Sequence, residues 1–130
     1  MASISRRPAR KEIGEPRRGE VWLVALDPTV GHEIKKTRPA LVIQNDVGNR
    51  HSPLTIVSAM TSKVALVPYP VEVVVEPTRA NGLQVRSAIR LDQIRTVDRR
   101  RLIRRMGVVS AAIQGKVDRA LKISLGLVDF

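Results

Sequence analysis

The stretch RGEVWLVALDPTVGHEIKKTRPALVIQNDVGNR, residues 18–50, contains two apolar runs on either side of a basic loop. The runs, at residues 21–26 and 40–43, are rich in valine, leucine and isoleucine, which is typical of strands buried on both faces. Asp27, Pro28 and Gly31 favour a turn after the first run. The stretch therefore predicts two core strands joined by a basic loop.

Arg38 lies at the entrance of the second run. Pro39 restricts the residue before it to extended conformations, so the Arg38 guanidinium projects from a backbone of largely fixed direction. Lys35 and Lys36 add two positive charges just before it. A fixed and permanently charged fork of donors suits a phosphate group.

Three more strands are expected downstream, at residues 54–60, 71–75 and 87–97, where apolar residues are continuous or alternate with polar ones. The segment NDVGNRHSP, residues 45–53, is interpreted as a turn-rich loop. Asn81-Gly82 is a turn signal of the hairpin kind.

Two helices are expected after the fifth strand. Asp98 is a candidate N-cap for a short basic helix, RRRLIRRM, that Gly107 would end. Ser110 is a candidate N-cap for a C-terminal helix with apolar residues at helical spacing. The fold class predicted is mainly β, a small antiparallel barrel with appended α-helices.

Composition limits the kinds of site that the chain can contain. The 130 residues include no cysteine, which rules out disulfides, thiolate zinc sites and cysteine nucleophiles together. No apolar run is long enough to span a membrane, and the N-terminus lacks the core of a signal peptide. We expect a soluble cytoplasmic protein without a membrane partner: a flexible basic arm over residues 1–17, then one domain over residues 18–130.

Positive charge is concentrated in two blocks. Of the net +11, residues 1–19 carry +4 and residues 86–105 carry +6. Such blocks are the electrostatic footprint of a polyanion, although a solvated basic face is the alternative. The chain has only three aromatic residues, so few rings are available on which bases could stack.

Motifs for metal or nucleotide chemistry are absent from the sequence. There is no HExxH, no phosphate-binding glycine loop, and neither His32 nor His51 has a metal-ligand spacing. We therefore expect no metal site and no cofactor. Scattered carboxylates such as Asp27, Asp46 and Asp92 could still bind magnesium, since magnesium sites need few protein ligands. Positions before a proline turn (Asp27), in a loop (Asp46) and at a helix start (Asp98) nevertheless favour structural roles.

Five blocks of the chain resemble, in the same order, the MazF/PemK family of ribonuclease toxins from bacterial toxin-antitoxin pairs. The blocks, within residues 18–127, are RGEVWLV, RPALVIQND, SPLTIVSAMTS, YPVEVVV and IRLDQIRTVD. The resemblance implies an SH3-like barrel that forms a homodimer. It also implies a metal-independent, sequence-selective endoribonuclease that cleaves single-stranded RNA such as mRNA, and an acidic antitoxin that competes for the same cations.

The family's catalytic pair falls on Arg38 and Thr61 of this chain. RNA can be cleaved without a metal because its 2'-hydroxyl can attack the adjacent phosphorus, if the attack is aligned and the developing charge is stabilised. Arg38 is expected to stabilise the charged transition state, since an arginine is a poor base. Thr61 is expected to donate a hydrogen bond or to orient the 2'-hydroxyl. The implied products are a 2',3'-cyclic phosphate and a 5'-hydroxyl.

The family binds RNA with the loop that corresponds to residues 31–37 here. Lys35 and Lys36 are expected to hold phosphate. His32 could touch substrate, and Glu33 could accept from a base or hold the loop. A catalytic pair of His32 and His51 is disfavoured, because loop histidines are mostly solvated.

Gln93 and Arg95 lie two residues apart on the fifth predicted strand and therefore share a face. Gln93 can donate and accept, which suits a base, and Arg95 suits a phosphate. The alternatives are a hydrogen bond within the sheet for Gln93 and an ordinary surface charge for Arg95.

Two other functions remain open at this level. A related group of toxins has this barrel but inhibits DNA gyrase through its C-terminal helix. The other alternative is a non-enzymatic RNA-binding module in which Arg38 binds phosphate without catalysing cleavage.

Overall fold

The structure is a computed structural model that describes residues 14–129. Most of the expected N-terminal arm, residues 1–13, lies outside the described residues, as does Phe130. In the part of the arm that is described, Gly14 and Pro16 are buried.

The described chain folds into one antiparallel sheet of six strands with a C-terminal helix, and the predicted fold class is confirmed. The strands follow one another in the sheet in the order β4-β5-β3-β2-β1-β6. Their bounds are β1 Glu20–Ala25, β2 Thr37–Val42, β3 Leu54–Thr61, β4 Glu72–Val75, β5 Ser87–Asp98 and β6 Leu102–Val108. The helices are α1 Asp46–His51, a 3-10 turn Arg99–Arg101, and α2 Ala111–Ser124.

The apolar runs at residues 21–26 and 40–43 are continuous because the sheet packs against a hydrophobic core on each of its two faces. Along β1, Val21 belongs to one core while Trp22 and Val24 belong to the other. Along β2, Leu41 belongs to the first core, and its neighbours Ala40 and Val42 to the second. Successive side chains of a strand point to opposite faces, so strands buried on both faces have no polar alternation.

Helix α2 covers the first core. Ser110 caps it, as predicted, by accepting a hydrogen bond from the Ile113 amide at 3.2 Å. Val117 and Ala120 are buried against the sheet. Arg18 and Asp118 form an ion pair at 2.6 Å, which ties the helix to the turn before β1.

The predicted basic helix after Asp98 is wrong. Asp98 does cap a turn, accepting from the Arg100 amide at 2.8 Å, but only the 3-10 turn forms and β6 follows at once. Strand β6 pairs with the free edge of β1, with Val24 opposite Leu102. Arginine, leucine and methionine favour helices, but a helix this short gains little from propensity alone, and pairing along a whole strand outweighs it.

Gly107 permits a close approach of two chain segments and does not end a helix. A Cβ there would lie 2.2 Å from the carbonyl oxygen of Ala80. The Val108 amide donates to that same oxygen at 2.8 Å, so the turn before β5 is hydrogen-bonded to β6.

The loop expected at residues 45–53 is also wrong in part, because it contains α1. Asn45 caps this helix by accepting from the Gly48 amide at 2.8 Å. Asn49 is fully buried and accepts a hydrogen bond from the Thr55 hydroxyl at 2.7 Å. Turn-forming residues therefore build a short helix that packs on β3. Neither α1 nor α2 is long and apolar enough to cross a membrane.

Candidate active site

The pairing of β2 with β3 brings Arg38 and Thr61 together at one end of the sheet. Ala40 pairs with Ala59, and the same register continued by two residues sets Arg38 opposite Thr61. Opposite residues of an antiparallel pair project from the same face with Cβ atoms about 5 Å apart. The two candidate catalytic residues thus share one surface.

Two adjoining depressions both have Arg38 and Thr61 in their walls. The strand depression, of about 300 Å³, is lined by Lys36, Thr37, Arg38, Pro39, Met60, Thr61, Ser62, Val85 and Ser87. The loop depression, of about 320 Å³, is lined by Gly31, His32, Glu33, Ile34, Lys35, Arg38, Thr61, Lys63 and Arg90.

The Arg38 side chain is half-buried and oriented by its own loop. Its Nε donates to the Lys35 carbonyl at 3.2 Å. No carboxylate within residues 14–129 forms an ion pair with Arg38, so its charge and its Nη donors remain for a ligand.

The Thr61 hydroxyl is oriented by the backbone that follows it. Its Oγ1 accepts a hydrogen bond from the Lys63 amide at 3.1 Å. Because the oxygen is the acceptor in this contact, the hydroxyl proton stays free to be donated. A threonine held this way can donate to an oxygen in either depression.

The basic loop is attached to β5 by Gln93. Its Oε1 accepts from the Ile34 amide at 3.2 Å, and its Nε2 donates to the His32 carbonyl at 3.3 Å. Glu33 accepts from the Val30 amide at 2.6 Å. In this structure both Gln93 and Glu33 therefore hold the loop.

Two arginines fasten the start of the same loop through backbone carbonyls. Arg95 donates to the carbonyl of Leu26. Arg101 donates to the carbonyl of Ala25 at 3.1 Å and to that of Asp27. A carbonyl is neutral, so Arg95 keeps a positive charge beside the loop while acting as its support.

Lys35 and Lys36 are exposed on the loop, and each lines one of the two depressions. Lys36 has a φ of 71°, the left-handed region that L side chains rarely adopt. Its carbonyl accepts from the Leu26 amide at 3.0 Å, which fixes the loop's return to the sheet. His32 lines the loop depression, whereas His51, at the end of α1, lines neither, so the two histidines do not form a pair.

Sequence analysis did not find Lys63 and Arg90, which also line the loop depression. Arg90 alternates with the apolar Ile89 and Leu91 along β5, a signal that could have shown which face of the strand it occupies. Only the pairing of β5 with β3 and β4 shows that this face adjoins Thr61. Register between distant strands cannot be read from one strand's pattern.

Arg90 is paired with carboxylates on both sides. It contacts Asp92 at 2.7 Å and Glu72 at 3.3 Å. The hydrogen bonds from Arg90 hold the pKa of the Asp92 carboxyl below its usual value, against the opposing effect of partial burial. The same contact raises the pKa of Arg90. The pair is therefore charged on both sides at neutral pH.

The basic block at residues 86–105 presents less unpaired positive charge in the folded protein than its sequence suggests, because four of its arginines are paired with carboxylates. The pairs are Arg86–Glu76, Arg90–Asp92, Arg100–Asp98 and Arg105–Glu20. The cations that face the two depressions without such a partner within residues 14–129 come from the loop and from the end of β3 instead. They are Lys35, Lys36, Arg38 and Lys63.

Within residues 14–129, no group of three or more His, Cys, Asp or Glu side chains is arranged to hold a metal ion. A larger cavity, about 650 Å³, lies between β4 and α2, and its lining contains none of the predicted site residues.

Comparison with known proteins identifies close relatives over nearly the whole chain. Residues 17–125 match the family of PemK-like, MazF-like toxins of type II toxin-antitoxin systems. The endoribonuclease EndoA of Bacillus subtilis is 44% identical over 114 residues, which is 88% of this chain and 97% of the relative. The endoribonuclease MazF of Staphylococcus epidermidis is 42% identical over 114 residues, 88% of this chain and 94% of the relative.

Solved structures have the same fold. The crystal structure of MazF from Deinococcus radiodurans is 28% identical, with a TM-score of 0.73 over 85% of this chain and 96% of that one. A MazE-MazF structure from the same organism is 27% identical, with a TM-score of 0.69 over 88% of this chain and 98% of that one.

Proposed function

The chain belongs to the family of PemK-like, MazF-like toxins of type II toxin-antitoxin systems, and from this premise we propose how it cleaves RNA. It is an endoribonuclease and the toxin of such a pair. The proposal is that it cuts single-stranded mRNA at selected sequences without a metal. The attacking group is the RNA's own 2'-hydroxyl.

The proposed reaction forms a bond from the 2'-oxygen to phosphorus and breaks the bond from phosphorus to the 5'-oxygen. A 2',3'-cyclic phosphate and a 5'-hydroxyl result. The 2'-hydroxyl gives up its proton as it attacks, and the leaving 5'-oxygen takes one up, so protons balance over the reaction. Arg38 donates hydrogen bonds to the phosphoryl oxygens as negative charge develops on them, and the Thr61 hydroxyl donates a hydrogen bond to one of those oxygens or orients the 2'-hydroxyl. Donors fixed before the substrate arrives stabilise the transition state without further reorganisation.

One observation carries this proposal: Arg38 and Thr61 line the same two depressions, where an extension of the Ala40–Ala59 register would set them opposite each other. A guanidinium and a hydroxyl about 5 Å apart at their Cβ atoms can reach the oxygens of one phosphate. A site that only bound phosphate, without cleaving RNA, would not require Thr61.

The remaining predicted residues bind RNA around this pair or support the loop that does so. Lys35 and Lys36 line the depressions and contribute charge for neighbouring phosphates, and His32 lines the loop depression. Arg95 contributes its charge from beside the loop, where it donates to the Leu26 carbonyl. Glu33 and Gln93 keep the loop in a conformation that can receive RNA.

The proposed protein partner is an acidic antitoxin that covers the same cations and so excludes RNA. The Deinococcus MazE-MazF structures contain a homologous toxin with its partner. We propose further that the toxin acts in the cytoplasm, as a homodimer.

The test is cleavage of a defined single-stranded RNA in excess chelator, with mapping of 5'-hydroxyl ends. Arg38→Ala and Thr61→Ala should each lower kcat by about a hundredfold to a thousandfold, as expected for lost transition-state donors. Arg104→Ala and Thr96→Ala are matched controls on exposed strand positions and should cleave like the parent. Full activity in both site variants would overturn the assignment.

The alternative of a gyrase poison has a separate readout. Supercoiling by gyrase should be unaffected by the purified protein at concentrations that cleave RNA. Inhibition of supercoiling without release of 5'-hydroxyl ends would instead support the alternative.

A further inference from the structure

Arg90 differs from the other cations of the loop depression because its guanidinium is held rigidly. Nε donates to Oδ1 of Asp92 at 2.8 Å, and Nη2 donates to Oδ2 at 2.7 Å. Glu72 adds a third contact, 3.3 Å from Nε. The rotamer freedom that Arg90 would lose on binding a ligand is already lost.

These contacts leave the end of the fork unused. A guanidinium has five N–H donors, and Asp92 occupies Nε–H and one hydrogen of Nη2. Within residues 14–129, nothing else accepts from Nη1 or from the second hydrogen of Nη2. Two parallel donors, one on each terminal nitrogen, therefore remain for a ligand.

The charge around this fork does not suit a phosphate. Asp92 neutralises Arg90, and Glu72 adds a further negative charge. Lys35, Lys36 and Arg38 supply unpaired positive charge in the same surface. A pair of donors without net charge suits a neutral acceptor pair, and the commonest specific one in nucleic acids is O6 and N7 of guanine.

The position of Arg90 suits a base next to the cleaved bond. Thr61 pairs with Ala88, and Arg90 is two residues further along β5 on the same face. Such diagonal neighbours have Cα atoms about 7–8 Å apart. Arg90 is therefore close to the phosphate that Arg38 and Thr61 would bind, but not at it. The bases of single-stranded RNA expose the edges that such a side chain reads.

We propose that Arg90, held by Asp92, is a specificity-determining residue that recognises the O6 and N7 acceptors of a guanine adjacent to the scissile phosphate. This inference rests on the proposed ribonuclease function of the same site. It assigns sequence selectivity to the Arg90–Asp92 pair and phosphate binding to the loop cations.

The direct test removes the pair without changing net charge. The double variant Arg90→Met, Asp92→Asn should be compared with the parent on RNA of randomised sequence, in chelator, by mapping 5'-hydroxyl ends. The parent should prefer guanine at one fixed position beside the cut. The double variant should lose that preference by about tenfold to a hundredfold while still producing 5'-hydroxyl ends.

Two further measurements keep the test independent of folding. Arg90→Lys keeps the positive charge beside Asp92 and Glu72 but lacks the planar fork, so it should also lose the preference. For the unchanged protein, 7-deazaguanine at the preferred position removes N7 and should lower kcat/KM by about tenfold. Arg104→Met removes an exposed arginine from β6 and is the matched control, with an unaltered preference.

Three results would overturn the inference. They are the absence of any guanine preference in the parent, an unchanged preference in both the double variant and Arg90→Lys, and an equal loss of rate on all sequences. The last result would identify a phosphate contact. Failure of the parent to release 5'-hydroxyl ends would contradict the ribonuclease mechanism itself and is therefore distinguishable.

Discussion

Arg38 and Lys36 are both cationic residues of the site, but the backbone prepares them differently. Arg38 is extended, preceded by a loop whose Lys35 carbonyl accepts from its Nε, and followed by a proline. Lys36 has a left-handed φ of 71°, which costs an L residue about 1 kcal/mol. The Lys36 side chain lines the strand depression, so the strained residue also places a positive charge at the site.

Lys36→Gly should separate the strain of this residue from its charge. Glycine adopts the left-handed region freely, so stability should be unchanged or rise by up to about 1 kcal/mol, while RNA affinity falls. The salt dependence of binding to single-stranded RNA should decrease by about 0.7 in log–log slope. Denaturant titration and binding at several salt concentrations measure the two effects.

Lys35→Gly is the matched control, because Lys36 alone among the non-glycine residues of the described chain has a positive φ. It removes the same charge, but without relief of strain it should lower stability by about 0.5–1 kcal/mol. Equal stability changes in the two variants would contradict the interpretation.

At the scale of elements, the basic loop is a separate unit that β5 holds in place. The Gln93 amide uses its acceptor on Ile34 and its donor on His32, and Arg95 donates to the Leu26 carbonyl. The strand thus positions the residues that precede Arg38. A loop held by only a few hydrogen bonds opens locally at a lower free-energy cost than the strands beside it.

Gln93→Ala should loosen this loop without unfolding the sheet. We expect KM for RNA to rise several-fold with a smaller change in kcat, since Arg38 and Thr61 are held by their own strands. Hydrogen exchange at the Ile34 amide should accelerate. If kcat alone decreased and this amide kept its protection, the role of Gln93 as the loop's support would be wrong.

The contact of β6 with the turn before β5 is another test at this scale. Gly107→Ala places a Cβ 2.2 Å from the Ala80 carbonyl oxygen, a backbone atom that cannot move aside as a flexible side chain could. The free energy of unfolding should fall by about 2–4 kcal/mol, measured by denaturant titration. Gly115→Ala, where α2 has open space around the added methyl, should instead stabilise by about 0.5–1 kcal/mol.

At the scale of the whole molecule, two cores share one sheet, and α2 closes the first of them. The helix is tied to the turn before β1 by the Arg18–Asp118 ion pair, whose side chains are 30% and 44% exposed. Gln114 also donates to Asp118, at 3.0 Å. Partly solvated contacts of this kind contribute up to about 1 kcal/mol, so the buried apolar face supplies most of the helix's stability.

The Arg18–Asp118 ion pair, which links α2 to the turn before β1, should weaken in acid. Burial alone would raise the pKa of Asp118, but the hydrogen bonds from Arg18 and Gln114 outweigh it and lower the pKa below 3.8. A carboxyl with a lowered folded pKa stabilises the fold above its unfolded pKa, and that contribution is lost as pH falls through the folded value. Stability should therefore decrease below about pH 4.

Asp118→Asn measures this contribution, through denaturant titrations at neutral pH and at about pH 3. The variant should be less stable than the parent by less than about 1 kcal/mol at neutral pH, and the difference should shrink in acid. A difference that stayed constant across this range would exclude ionisation of Asp118 as its cause.

The sequence by itself determined the features that depend on neighbours along the chain. Apolar runs, turn residues and the Ser110 cap gave five strands and the C-terminal helix, because side-chain periodicity and capping are local. Pro39 fixed the extended direction of Arg38 for the same reason. The five blocks that resemble the MazF/PemK family pointed to Arg38 and Thr61 as a pair, although no local pattern requires the two residues to lie close together.

Only the tertiary structure decided what depends on pairing between distant segments. An arginine-rich stretch became strand β6 because the edge of β1 was available, and Gly107 met the Ala80 carbonyl instead of ending a helix. Register between strands set Arg38 opposite Thr61, brought Arg90 beside them, and gave Arg90 the carboxylates of Asp92 and Glu72. Register and ion pairing are properties of two or more strands together, so no pattern within a single strand specifies them.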